Sequence, residues 1–134
     1  IFVRDDCGWR VGIHMKQYED KCPTIVIGGN AGSFLGEYMA GGVVVLLGHP
    51  GEYLASGMHG GVIYLKNRLA DEDVPEGLVM EEVGEDDRVL LTELLGLYND
   101  YFAADLAAPI EATGAGFYAL RPASSRPYAS MYAN

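Results

Sequence analysis

Over its first half the chain alternates short apolar runs with glycine-rich turns, and the alternation repeats. Thr24 to Gly48 and His49 to Leu65 align at an offset of nineteen residues. Gly32 then meets Gly51, Leu35 meets Leu54, Met39 meets Met58, and Gly41-Gly42-Val43 meets Gly60-Gly61-Val62. Phe34 likewise meets Tyr53, and the apolar run Val43 to Leu47 meets Val62 to Leu65. A fixed period of about 20 residues with one strand-like run per unit is the signature of a solenoid.

The frame extends backwards. Gly8, Val11 and Met15 stand where Gly32, Leu35 and Met39 stand one unit later, at an offset of 24, nineteen plus five. The excess falls in Gln17 to Pro23, where later units have only a Gly-Gly corner. Three coils are therefore expected, the first with a loop on one corner. Glycine supplies the positive φ or the close backbone approach that such corners need. Stacked, Leu35 over Leu54 and Met15 over Met39 over Met58 would form ladders inside the coil, with strands about 4.8 Å apart.

Beyond the coils the pattern changes. Ile1 to Arg4 reads as a strand already inside a coil, which suggests an edge that further coils or another chain would cover. Lys66 to Arg68 turns the chain out, and Leu69 to Gly84 reads as an acidic connector holding a short strand at Leu78 to Val83. Leu91, Leu94, Leu95, Tyr98, Tyr101 and Phe102 recur at steps of three and four, one face of an amphipathic helix. Glu85-Asp86-Asp87 stand at its start, where acidic residues favour the helix dipole. Its apolar face needs a partner, and the end or side of the coil stack is the nearest one, so the helix is expected as a C-terminal cap. Phe117 to Leu120 is a further candidate strand. The expected division is coils over 1–66, acidic connector over 67–87, capping helix over 88–106, and strand plus tail over 107–134.

Composition narrows the function. The 134 residues suit one domain, and eighteen glycines are concentrated where the coil turns. Nine basic against nineteen acidic residues give a net charge of −10, which disfavours nucleic acid and anionic lipid as partners. No apolar run has membrane-spanning length and no secretory signal opens the sequence, so a cytoplasmic location is expected. Cys7 and Cys22 lack metal or redox spacing and are expected as free thiols.

Several residue sets invite chemistry. The glycines after Thr24 to Ile27 suggest a dinucleotide-binding turn, but Gly41-Gly42 follows too soon for a helix, and the motif recurs nineteen residues later. A calcium-binding repeat would need carboxylates within Gly28 to Gly36, which has none. His14, His49 and His59 lack the close spacing of a helical metal site and no carboxylate repeats beside them. Met15, Met39 and Met58 occupy one coil position and read as core filling. Ser33 and Ser56 read as turn residues. Arg10, Lys16, Arg121 and Arg126 would form an anion site if the tail folded back on the first coil.

The unit Gly32-Ser33-Phe34-Leu35-Gly36-Glu37-Tyr38-Met39-Ala40-Gly41-Gly42-Val43 resembles the GXGXG domain at the C-terminal end of the glutamate synthase large chain. Similar domains occur as stand-alone glutamate synthase-like subunits and as one of the subunits of formylmethanofuran dehydrogenase. Arg10 to Lys16 and Gly57 to Tyr64 carry the likeness too, and the tail Ser125 to Tyr128 is similar to the ending of the stand-alone type. Ala55 departs from the pattern, standing where the repeat glycine is expected.

The resemblance implies a mainly β fold, a right-handed parallel β-helix, and a non-catalytic structural or interaction module in a glutamate synthase-type oxidoreductase. It implies no catalytic, cofactor-binding or metal-binding residue on this chain. FMN and an iron-sulfur cluster would be carried by a partner synthase chain, and the expected partners are that catalytic domain or subunit, or a second copy of this chain. Cys7 does not match the family's glutaminase nucleophile, which belongs to a different domain. The alternatives are a scaffold within formylmethanofuran dehydrogenase, or a hydrolase using a thiol or histidine at a coil corner.

Overall fold

A computed structural model describes residues 1–104, 106 and 108–123. It contains one six-stranded sheet and one long helix, a mixed α/β arrangement. The strands are β1 (Phe2–Val3), β2 (Thr24–Ile27), β3 (Ala40–Leu46), β4 (Gly60–Leu65), β5 (Leu78–Glu82) and β6 (Tyr118–Pro122), and the helix α1 is Glu85–Phe102. Their order across the sheet is β1-β2-β3-β4-β6-β5.

The first four strands are parallel, and their register is the sequence repeat. Val26 pairs with Phe2, Val45 with Val26 and Tyr64 with Val45, offsets of 24, 19 and 19. The five extra residues of the first offset form a loop closed by a bridge between Tyr18 and Lys21.

Between strands, each repeat runs through an arm whose backbone takes the left-handed conformation at every second residue. The positions are Arg10, Gly12 and His14, then Phe34, Gly36 and Tyr38, then Tyr53, Ala55 and Gly57, with φ between +53° and +74°. Ala55, the departure from the glycine pattern, keeps the same geometry at φ 57°. A left-handed non-glycine residue costs roughly 1–2 kcal/mol. Hydrogen bonds between successive arms offset that cost: Arg10 N–H donates to the Ser33 carbonyl and Phe34 N–H to the Glu52 carbonyl, both at 2.9 Å. Asp6 and Asn30 add a side-chain rung, each Oδ1 accepting the N–H one repeat later, from Asn30 and His49 at 2.7 Å.

At the corners, Gly41 and Gly60 donate equivalently to the Met15 and Met39 carbonyls at 3.1 Å. A side chain on Gly60 would collide with the Ala40 carbonyl, so close backbone approach dictates glycine there.

Alternate strand residues feed two cores. Ile25, Ile27, Val44, Leu46, Ile63 and Leu65 join Leu35, Leu54, Met39 and Met58 inside the arms. Val26, Val43, Val45 and Tyr64 face the other way, onto Leu91, Leu94, Leu95 and Tyr98 of α1.

Two expectations are corrected here, the bounds of the helix and its role as the end cap. The helix is Glu85–Phe102 rather than 88–106: the acidic triplet belongs to its first turn, and Asp87 Oδ2 accepts the Gly84 N–H at 3.1 Å. It covers the outer face of the sheet, because that face is itself apolar. The end of the stack is closed instead by β6 and β5, paired antiparallel to β4 and to each other. Leu120 enters the inner core there, and Leu69, Val74, Leu78 and Met80 pack against that core. The tail motif Ser125 to Tyr128, with Arg126, lies outside the described residues, as does Ala107.

Candidate functional site

The residues that invited chemistry are dispersed by the repeat that places them. His14, His49 and His59 are all exposed. His14 stacks on Tyr38 at 5.1 Å, His59 Nδ1 lies 3.3 Å from the Gly57 carbonyl, and His49 contributes its backbone N–H to Asn30. Among the described residues no group of three or more His, Cys, Asp or Glu side chains gathers as metal ligands do. Ser33 and Ser56 serve through their carbonyls, which accept from Arg10 and Tyr38. Met39 and Met58 are buried in the inner core and Met15 packs against it.

Cys7 packs against the same core, and Cys22 is exposed; both are free thiols. Burial pushes the Cys7 thiol up, against the Gly32 backbone contact and with the Asp6 carboxylate. A thiol kept protonated at neutral pH is a weak nucleophile.

The arginines expected together have separate partners. Arg10 lies over the Phe34 ring at 5.2 Å and 3.9 Å from Glu37, the one buried charged side chain among the described residues. Arg121 instead binds Asp87 at 2.6 Å, and Tyr64 O–H donates to the same Oδ1 at 2.6 Å. This triad joins β4, β6 and the first turn of α1. Burial raises the Asp87 carboxyl, but the Tyr64 hydroxyl, the Gly84 N–H and Arg121 outweigh it and hold the group below its ordinary range. Burial, then Asp87, pushes the Tyr64 hydroxyl far above its usual value. A phenol so hard to ionise is a structural donor rather than a base, and no sequence spacing signals the triad.

What the repeat does concentrate is unmet backbone pairing at its first unit. Gly36 and Ala55 pass their N–H groups back to the Val11 and Leu35 carbonyls at 2.8 and 2.7 Å. Ala40 and His59 do the same to Met15 and Met39, at 2.7 and 2.8 Å. Gly12 and Lys16 hold these positions in the first unit, and their N–H groups have no acceptor among the described residues. β1, the strand of the same first unit, is the edge strand of the described sheet. An apolar cleft formed by Ile1, Phe2, Tyr101 and Phe102 adjoins that edge, with Ile1 78% and Tyr101 64% exposed. Such an arrangement can accept another backbone and bury its apolar side chains. Among the described residues β1 is thus an edge strand, and Tyr101 and Phe102 of α1 form part of the cleft.

Among the described residues no helix is long and apolar enough to cross a membrane. A family model described as "GXGXG motif" matches residues 1–113. Over 42 residues the chain is 64% identical to an uncharacterized protein of Methanocaldococcus jannaschii, MJ1350. That segment is 31% of this chain and spans only 16% of the relative's length.

Proposed function

From the chain's membership of the GXGXG-motif family, with the family match covering residues 1–113, we propose a non-catalytic docking module of a glutamate synthase-type oxidoreductase. In this reading the stacked repeats form a right-handed parallel β-helix, and the open first unit seats a synthase-type chain. That partner carries FMN and the iron-sulfur cluster and converts glutamine and 2-oxoglutarate to glutamate. The observation that carries the reading is the pair of N–H groups at Gly12 and Lys16 in the first unit, unmet among the described residues. The apolar cleft of Ile1, Phe2, Tyr101 and Phe102 at the edge strand adds to it. Catalytic side chains would be singular and convergent, whereas the recurring features here are rungs, ladders and corners.

The test is to mix the pure chain with a purified synthase-type chain. We expect the isolated chain to be colourless and to show neither glutamine hydrolysis nor glutamate synthesis. A complex should form, and Ile1→Glu with Tyr101→Glu should abolish it while leaving the melting temperature nearly unchanged, since both side chains are exposed. Glutamine turnover by the pure chain that Cys7→Ser or Cys22→Ser removes would overturn this function.

A further inference from the structure

One arm position carries a ladder of flat groups. Arg10 lies over Phe34 at 5.2 Å, and Phe34 stacks on Tyr53 at 4.9 Å with planes 16° apart. The next step of the ladder, nineteen residues on, would be Glu72, but there the chain has left the repeat for the short 3-10 turn Asp71–Asp73. The step is left open as a cleft of about 620 Å³ between the third arm and the connector. Its walls include Pro50, Glu52, Tyr53, Leu69, Asp73 and Pro75. Tyr53 is 64% exposed although Phe34 covers one of its faces. Among the described residues neither Glu52 nor Asp73 has a cationic partner; the neighbouring Arg68 is held by Asp71 at 2.9 Å.

We propose that this cleft receives an arginine side chain of a partner protein, its guanidinium flat on the free face of Tyr53 and its charge met by Asp73 and Glu52. The ladder itself shows the fit, because its other end is a guanidinium resting on a ring. Stacking favours the planar guanidinium over the compact ammonium of lysine. The prolines and Leu69 cover the aliphatic stem. The net charge of −10 draws cationic segments toward the surface. The cleft belongs to the third repeat and the connector, away from the open first unit, and does not depend on the docking role proposed above.

The test uses the full chain titrated at low salt with acetyl-Gly-Arg-Gly-amide, its lysine analogue and a neutral glycine analogue. The readouts are NMR shifts of the Tyr53 ring and the Asp73 amide. Saturable shifts are expected with the arginine peptide, several-fold weaker binding with lysine, and none with the neutral peptide. Tyr53→Leu should erase the preference for arginine over lysine, and Asp73→Asn should weaken both cations. Both side chains are exposed, so unchanged melting is the control for folding. Shifts no larger than those of the neutral peptide would overturn the proposal, as would equal binding of arginine and lysine by the parent chain. Binding that appears only in Arg126→Gln would also overturn it, by giving the cleft to the chain's own tail.

Discussion

The two ends of the repeat stack are built from the same kind of strand and finished in opposite ways. At the far end β4 meets β6 antiparallel, Leu120 plugs the inner core, and the sheet ends on β5, whose Glu81 and Glu82 make a charged edge. Charged edge strands resist further pairing. At the near end β1 offers Phe2 and Val3, neither charged, and the Gly12 and Lys16 N–H groups have no acceptor among the described residues. Among the described residues the far end is closed by β6 and β5, whereas β1 is the edge strand of the near end. In the docking role proposed above, that difference sets the direction of assembly.

The largest test of this contrast is a pair of truncations. Leu120→Ala, at a fully buried position, should destabilise by about 2–5 kcal/mol, whereas Ile1→Ala should stay within about 0.5 kcal/mol. Denaturant melts of the two variants check this, and similar losses for both would erase the distinction between plugged and open ends.

Next in size is Gly60→Val, which drives a branched side chain into the Ala40 carbonyl and should cost about 2–3 kcal/mol. Its melt would coincide with the parent's if the stacking of corners were wrong.

The triad that fastens the closed end makes a smaller, pH-dependent contribution. Asp87→Asn should cost about 2 kcal/mol at neutral pH, below the cost for a fully buried pair, because both side chains retain some exposure. The Asp87 carboxyl titrates lower in the folded chain than in the unfolded one. Its contribution is therefore present above the ordinary carboxylate range and fades as pH falls through the folded value. The gap between parent and variant should narrow on acidification to about pH 3. Tyr64, with its raised value, places the corresponding loss at the alkaline side, above about pH 10. A gap that widens in acid would contradict the assignment.

Much of the open end was legible in the sequence, because a repeat announces its register. The offsets of 24 and 19 became the strand pairing, and the five extra residues became the Tyr18–Lys21 loop. The closed end was not legible in this way. The strands themselves were expected, at Leu78 to Val83 and Phe117 to Leu120, but they lie outside the repeat and some forty residues apart, so no register signals their pairing. The helix was legible as an element and the side of the stack was one of its two expected seats, but its role as a cap was not borne out. A signal existed: Val43 to Leu47 is apolar without alternation, which marks a strand buried on both faces and so calls for a layer outside the coil. The Asp87–Arg121 contact has no such signal, since acidic residues at a helix start are explained by the dipole alone. The left-handed arm was half visible, through Gly12 and Gly36, while Arg10, His14, Phe34, Tyr38, Tyr53 and Ala55 adopt the same conformation against their intrinsic preference.

Amide hydrogen exchange on the chain alone and in complex with a synthase-type chain tests the open end most directly. In the isolated chain the Gly12 and Lys16 amides should exchange fast, while those of Gly36 and Ala40, one repeat inward, are protected by the Val11 and Met15 carbonyls. On assembly, Gly12 and Lys16 should become protected. A complex in which they still exchange freely, while new protection falls on another surface, would contradict the docking role assigned to this end.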